Sequence, residues 1–220
     1  MNFIEQQIQD ALLEEEQEHT LEQALQASHK HIARLVDLNA ENAGKQLLEF
    51  VTLYIQSVPN LLTDLQRVAA QQKLSRAVQP LIDIALRFFK LPSHSIGKRS
   101  GLTALMVKAY LANRLLEEVN DACLFHTGTA IIPMDMSLSN TIVHTLIGEP
   151  FANDMDVLVD ESVDRLFLLE KNNSDFIQEL SNNNLVHICQ KWSSLSGQVG
   201  LYSSLADQPP HTFSAVYQPK

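Results

Sequence analysis

An all-α, single-domain bundle of seven to nine helices is the fold class this sequence predicts, and three observations predict it. Apolar residues recur every three or four positions almost everywhere, few segments show the strict alternation of strands, and only 7 glycines interrupt 220 residues. A chain of that length can bury a core without disulfide or metal staples. Its 45% hydrophobic content argues against global disorder.

The elements follow in order. Ile4, Ile8, Ala11 and Leu12 mark a first helix. Thr20, Leu21, Glu22 and Gln23 have the form of a capping box, so a second helix starts there or continues the first. That helix is predicted to be long: Ile32, Val36, Ala43, Leu47, Phe50 and Tyr54 share one face, and Pro59 is expected to stop it. Two shorter helices are predicted at about Asn60–Lys73 and Pro80–Leu91, with Pro80 in the first turn. After the loop Pro92–Arg99, a second long helix begins near Ser100 and turns Leu105, Ala109, Ala112, Leu116, Val119 and Cys123 inward.

The helical rhythm then breaks. Near residues 127–137 the chain predicts an irregular apolar crossover carrying Ile131, Ile132, Met134 and Met136, with Gly128 as exit and Ser137 or Ser139 as the next cap. A short helix at Leu138–Ile147 is closed by Gly148 and Pro150, and Met155, Leu158, Val159, Leu166 and Leu169 mark another. Asn182, Asn183 and Asn184 interrupt the last helical region, which resumes through Ile188, Trp192, Leu195 and Val199. The helical domain is expected to span residues 1–205, followed by an extended tail, 206–220, and no internal repeat is visible.

Charge excludes several functions. The net charge is −10, unevenly placed: residues 1–50 hold 10 acids and 3 bases (−7), whereas residues 51–100 hold 2 acids and 7 bases (+5). An acidic surface repels phosphate backbones, which disfavours nucleic acid as a partner. The start is acidic and has no signal-peptide pattern, and no run approaches the ~18 apolar residues of a membrane span. With only Cys123 and Cys189, these features predict a soluble protein of the reducing cytoplasm, without a membrane partner.

No metal site and no cofactor is predicted. Glu16 and His19 have the spacing of a di-metal carboxylate motif, but a ferritin-like site needs two such motifs and two further inward glutamates. At about 100° per residue, Glu117 and Glu118 fall about 120° and 140° from the centre of their helix's apolar face, so neither is expected inward. None of the eight histidines are three or four residues apart. Cys123 sits in an apolar face beside acidic residues, where a thiolate is disfavoured. The functional residues of ferritin-like, heme-oxygenase-like and helical-repeat proteins cannot be placed on the chain.

Three candidate sites remain. The loop Pro92–Leu102 places Lys98, Arg99 and Ser100 at a helix start, where backbone N–H groups and cations can hold an anion or a nucleotide phosphate, although the Walker pattern fails. Asn39 and Gln46 on one long helix, and Asn113 and Asn120 on the other, lie seven apart at the borders of the apolar faces. Four amides meeting there would form either a polar network or a pocket for a small polar ligand. His126 and Asp135 are expected to close as a buried pair beside the crossover. The leading functional expectation is a non-enzymatic interaction protein, self-associating as a homo-oligomer or docking to another protein. The alternatives are an enzyme or small-ligand binder between the long helices, and anion binding at Lys98–Gly101.

Overall fold

The computed structural model describes residues 2–71, 73–128, 132, 135–169 and 195–203. Among these, the chain is all-α: α1 (Asn2–Glu18), α2 (Thr20–Ile32), α3 (Ala43–Gln71), α4 (Ser75–Phe89), a 3-10 turn (Ser93–Ile96), α5 (Gly101–Thr127), α6 (Ser137–Ile147), α7 (Phe151–Leu169) and the single turn α8 (Leu195–Gln198). Extended pairing is limited, in these residues, to one isolated bridge between Val36 and Ser203. No described helix is long and apolar enough to cross a membrane. Much of the predicted crossover, the Asn182–Asn184 interruption with Ile188 and Trp192, and the 206–220 tail lie outside the described residues.

Two long helices are present, but the first is not where periodicity placed it. Helix α2 ends at Ile32, and residues 33–42 turn before α3 begins at Ala43. Val36 and Ala43 are buried as expected, in the turn and in the next helix respectively. Gln26 secures that turn: its amide nitrogen donates to the Ala40 carbonyl at 2.9 Å, and its oxygen accepts from the Gly44 N–H at 2.6 Å. A side chain at Gly44 would meet the Glu22 carbonyl oxygen at 2.8 Å, so glycine is what lets α2 and α3 approach so closely.

Pro59 does not stop the helix. It is buried inside the 29-residue α3, which absorbs the separate helix expected at Asn60–Lys73. A proline within a helix removes one backbone bond and costs about 3 kcal/mol in isolation. Here burial of Tyr54, Ile55, Val58, Leu61, Leu62 and Leu65 on both sides offsets that cost. The Ser57 hydroxyl donates to the Tyr54 carbonyl and the Thr63 hydroxyl to the Pro59 carbonyl, both at 2.7 Å, giving these carbonyls side-chain donors. Pro80 likewise sits within α4 rather than in its first turn.

The α1–α2 junction also departs from the expected capping box. His19 is left-handed, at φ 51, and makes no capping bond. The cap comes from the preceding helix: the Glu15 carboxylate accepts from the N–H groups of Leu21 at 3.0 Å and Glu22 at 2.8 Å, and from the Thr20 hydroxyl at 3.2 Å. A carboxylate at exposed helix-start donors is favourable both as acceptor and as charge.

One hydrophobic core runs from Ile4 to Leu201. Its axis is α5, which packs against α1, α3, α4, α6 and α7. Lys108 on α5 reaches the Phe89 carbonyl at 3.1 Å and so caps the C-terminal end of α4; burial pulls its pKa below the usual lysine value. Gly128 and Gly148, at φ 72 and 84, terminate α5 and α6 as expected.

Candidate functional site

Because α5 is enclosed by five helices, its polar flank is interior as well. That flank carries Tyr110, Asn113, Arg114, Glu117 and Glu118, and α3, α6 and α7 close over it with Tyr54, Asn140, His144 and Asp156. The Tyr54 hydroxyl donates to Asn140 Oδ1 at 2.6 Å, and Asn140 Nδ2 donates to Glu117 Oε2 at 2.7 Å. Those partners orient the Asn140 amide, since a flip would set its oxygen against a carboxylate. Arg114 donates to both Glu117 and Glu118, and its Nε lies 3.5 Å from Asp156. Asp156 also accepts from the Tyr110 hydroxyl at 2.6 Å, and its other oxygen is 3.4 Å from His144 Nε2. The same His144 nitrogen is 3.1 Å from Asn153 Oδ1, and its ring meets Tyr110 edge-on.

The network grades from dry to wet. Tyr54 and Asn113 are fully buried, Glu117 is 8% exposed, and Arg114, His144, Asp156 and Glu118 reach solvent in part. Burial raises the Tyr54 hydroxyl well above its ordinary pKa, and burial with the Asp156 hydrogen bond does the same for Tyr110, so both remain protonated donors. Burial works against the Arg114 charge, but the Glu117 hydrogen bond and the nearby carboxylates more than reverse it. Asp121 is raised by burial and then by Glu117.

One group in this centre is unsatisfied. The Asn113 amide is 0% exposed, and neither its nitrogen nor its oxygen has a partner in hydrogen-bond geometry. Its polar neighbour is the Tyr54 hydroxyl, whose ionised form it favours. An amide buried without partners costs about 1–3 kcal/mol. Ser139 Oγ on α6, one residue before Asn140, is also buried without a partner.

The candidates read from sequence are dispersed. The four amides do not meet. Asn39 is exposed in the α2–α3 turn, where its Oδ1 accepts from the Glu41 N–H at 3.1 Å, and Gln46 Nε2 donates to the Val199 carbonyl at 3.1 Å. Asn113 alone joins the polar centre; Asn120, nearly buried, accepts from the Ile132 N–H at 2.8 Å and ties the crossover to α5. The helix break at Ile32 is the reason, because it removes Asn39 from the face it was assigned. The buried His126–Asp135 pair does not form either. Both residues are exposed: His126 stacks edge-on with Phe125, and Asp135 accepts from the Ser137 N–H at 2.9 Å, so it caps α6 in place of the expected serines.

Lys98, Arg99 and Ser100 line a cleft of about 330 Å³, but Glu14, Glu15 and Glu18 of α1 line it too. Arg99 is committed to structure: its Nη1 and Nη2 donate to the carbonyls of Ile96 and Ile147 at 3.2 Å, and its guanidinium lies over the Phe151 ring at 4.2 Å. Burial lowers its pKa. Ser100 makes no capping bond, and Glu14 Oε2 comes within 3.1 Å of where a side chain at Gly101 would begin. The local sequence shows the cations; the carboxylates that oppose an anion arrive from a distant helix.

The expectation that α5 offers no inward carboxylate is corrected by Glu117. A signal for it exists in the sequence: α5 is apolar around most of its circumference, which marks a helix buried on all sides rather than an amphipathic one. Tyr54 is on the apolar face its spacing implies, but Tyr110, Asn140, His144 and Asp156 carry no local pattern; the five come together only through helix packing. No described group of three or more His, Cys, Asp or Glu residues is arranged to hold a metal ion. No family model, curated protein or solved structure matches the chain.

Proposed function

We propose that this chain is a small-ligand-binding helical bundle whose site is the polar centre between α3 and α5, closed by α6 and α7. The observation that carries the reading is Asn113, a fully buried amide with no partner beside an otherwise hydrogen-bonded array. Native interiors satisfy nearly all buried polar groups, so a persistent orphan calls for a bound partner. Tyr54, Asn140 and Glu117 hold the surrounding donors and acceptors in fixed orientation, as a recognition site requires. The test is native mass spectrometry of untreated protein beside Asn113→Leu. The wild-type chain is expected to carry a small molecule released on denaturation, and the variant to purify without it. Identical masses equal to the bare chains would overturn the reading.

A non-enzymatic protein acting through its surface, and self-associating, is the second reading. It is favoured by one observation: Phe125 and Leu124 near the end of α5 are 85% and 47% exposed. Light scattering of Phe125→Ser tests it, since loss of a dimer supports self-association and an unchanged monomer opposes it. A cytoplasmic location accords with Cys123, whose thiol burial raises to about 11 and keeps unreactive.

A further inference from the structure

The charge of the polar centre selects among ligands. Among the described residues Arg114 is its one permanent cation, and it faces Glu117 and Glu118 on α5 and Asp156 on α7. Asp121 on α5 and Asp135 before α6 add negative charge nearby, and His144 on α6 contributes a cation only when protonated. From α3 the group that faces inward is the neutral Tyr54 hydroxyl. One guanidinium therefore stands against three carboxylates in these residues, with the unpartnered Asn113 amide, its carbonyl oxygen included, on the dry side.

We infer that the polar centre takes a small organic cation bearing a primary ammonium, an inference that rests on the binding reading above. An ammonium has donors and no acceptor, which suits an open carbonyl oxygen and surplus carboxylates together. An anion would add repulsion to a site already negative. A neutral ligand would satisfy Asn113 and leave the surplus carboxylate charge uncompensated. The Tyr54 and Asn140 amide–hydroxyl pair is engaged with Glu117, so the new donor is directed to Asn113 rather than to them.

Thermal unfolding of the full chain with three probes of equal length tests this: putrescine, 1,4-butanediol and succinate. Putrescine alone is expected to raise the melting temperature, by about 5–10 °C at a hundredfold excess over its Kd. Asn113→Leu should remove the rise, and Glu118→Gln, a partly exposed change that leaves the core intact, should weaken binding severalfold. A rise that persists in Asn113→Leu is general attraction to an acidic surface and overturns the inference. A response to butanediol or succinate equal to that of putrescine overturns the amine class while the site stands. No response to any probe, with no co-purified molecule in the mass spectra, overturns the site as well.

Discussion

Two buried glutamates, Glu15 and Glu117, are exposed to almost the same small extent and do different things. Glu15 gives both oxygens to the start of α2, within one corner of the chain, and its neighbours are satisfied. Glu117 gives its Oε2 to side chains from two helices, Arg114 on α5 and Asn140 on α6, and an orphaned amide sits one turn away. A carboxylate that accepts from backbone fixes local geometry. One that organises side chains from several helices fixes how those helices pack. The difference lies in the partners, since depth of burial is the same.

The largest effect that separates them is expected at Glu117. Glu117→Ala leaves Arg114 and Asn140 without their acceptor and should cost about 3 kcal/mol in chemical denaturation, at the low end for a buried pair because Arg114 is partly solvated. A loss no larger than that of a surface substitution would break the comparison. Glu15→Ala is next, at about 1–2 kcal/mol, the worth of a helix cap. Its signature is local: hydrogen exchange should quicken at the Leu21 and Glu22 amides while α5 stays protected.

Asn113→Leu should act in the opposite direction. In ligand-free protein, removing an unsatisfied amide of similar volume should stabilise the fold by about 1 kcal/mol. Destabilisation instead would mean that Asn113 is satisfied within the chain. The fourth test is alkaline. Tyr54 and Tyr110 keep their protons in the folded state at pH values where unfolded tyrosine, near pKa 10, loses them. The unfolded chain then binds fewer protons than the folded one, so stability falls as pH rises above about 10. Tyr54→Phe should flatten that fall, and an unchanged slope would show that Tyr54 ionises in place.

The helical class and most core positions were legible because periodicity is a property of a single helix. Ile4, Ile8, Leu47, Phe50, Leu105, Leu116 and Val119 are buried as their spacing implies. Pro59 and Ile32 depart from the spacing for different reasons: packing overrides local propensity at the proline, and at Ile32 an apolar face continues by coincidence across the α2–α3 turn. The site was less legible. Asn113 was recognised as a border amide, but its surroundings depend on which helices cover the far flank of α5. Spacing within α5 measures distance from its own apolar face and carries nothing about α6 or α7.

The partners of Arg114 become available at different points as the chain is synthesised from its N-terminus. Its two strongest partners, Glu117 and Glu118, follow within one turn of the same helix, so its charge is matched as soon as α5 is made. Asn140 and Asp156, the partners that complete the array, arrive only with α6 and α7. A chain that has reached the end of α5 thus already carries acceptors for this guanidinium within the same helix, before α6 and α7 follow.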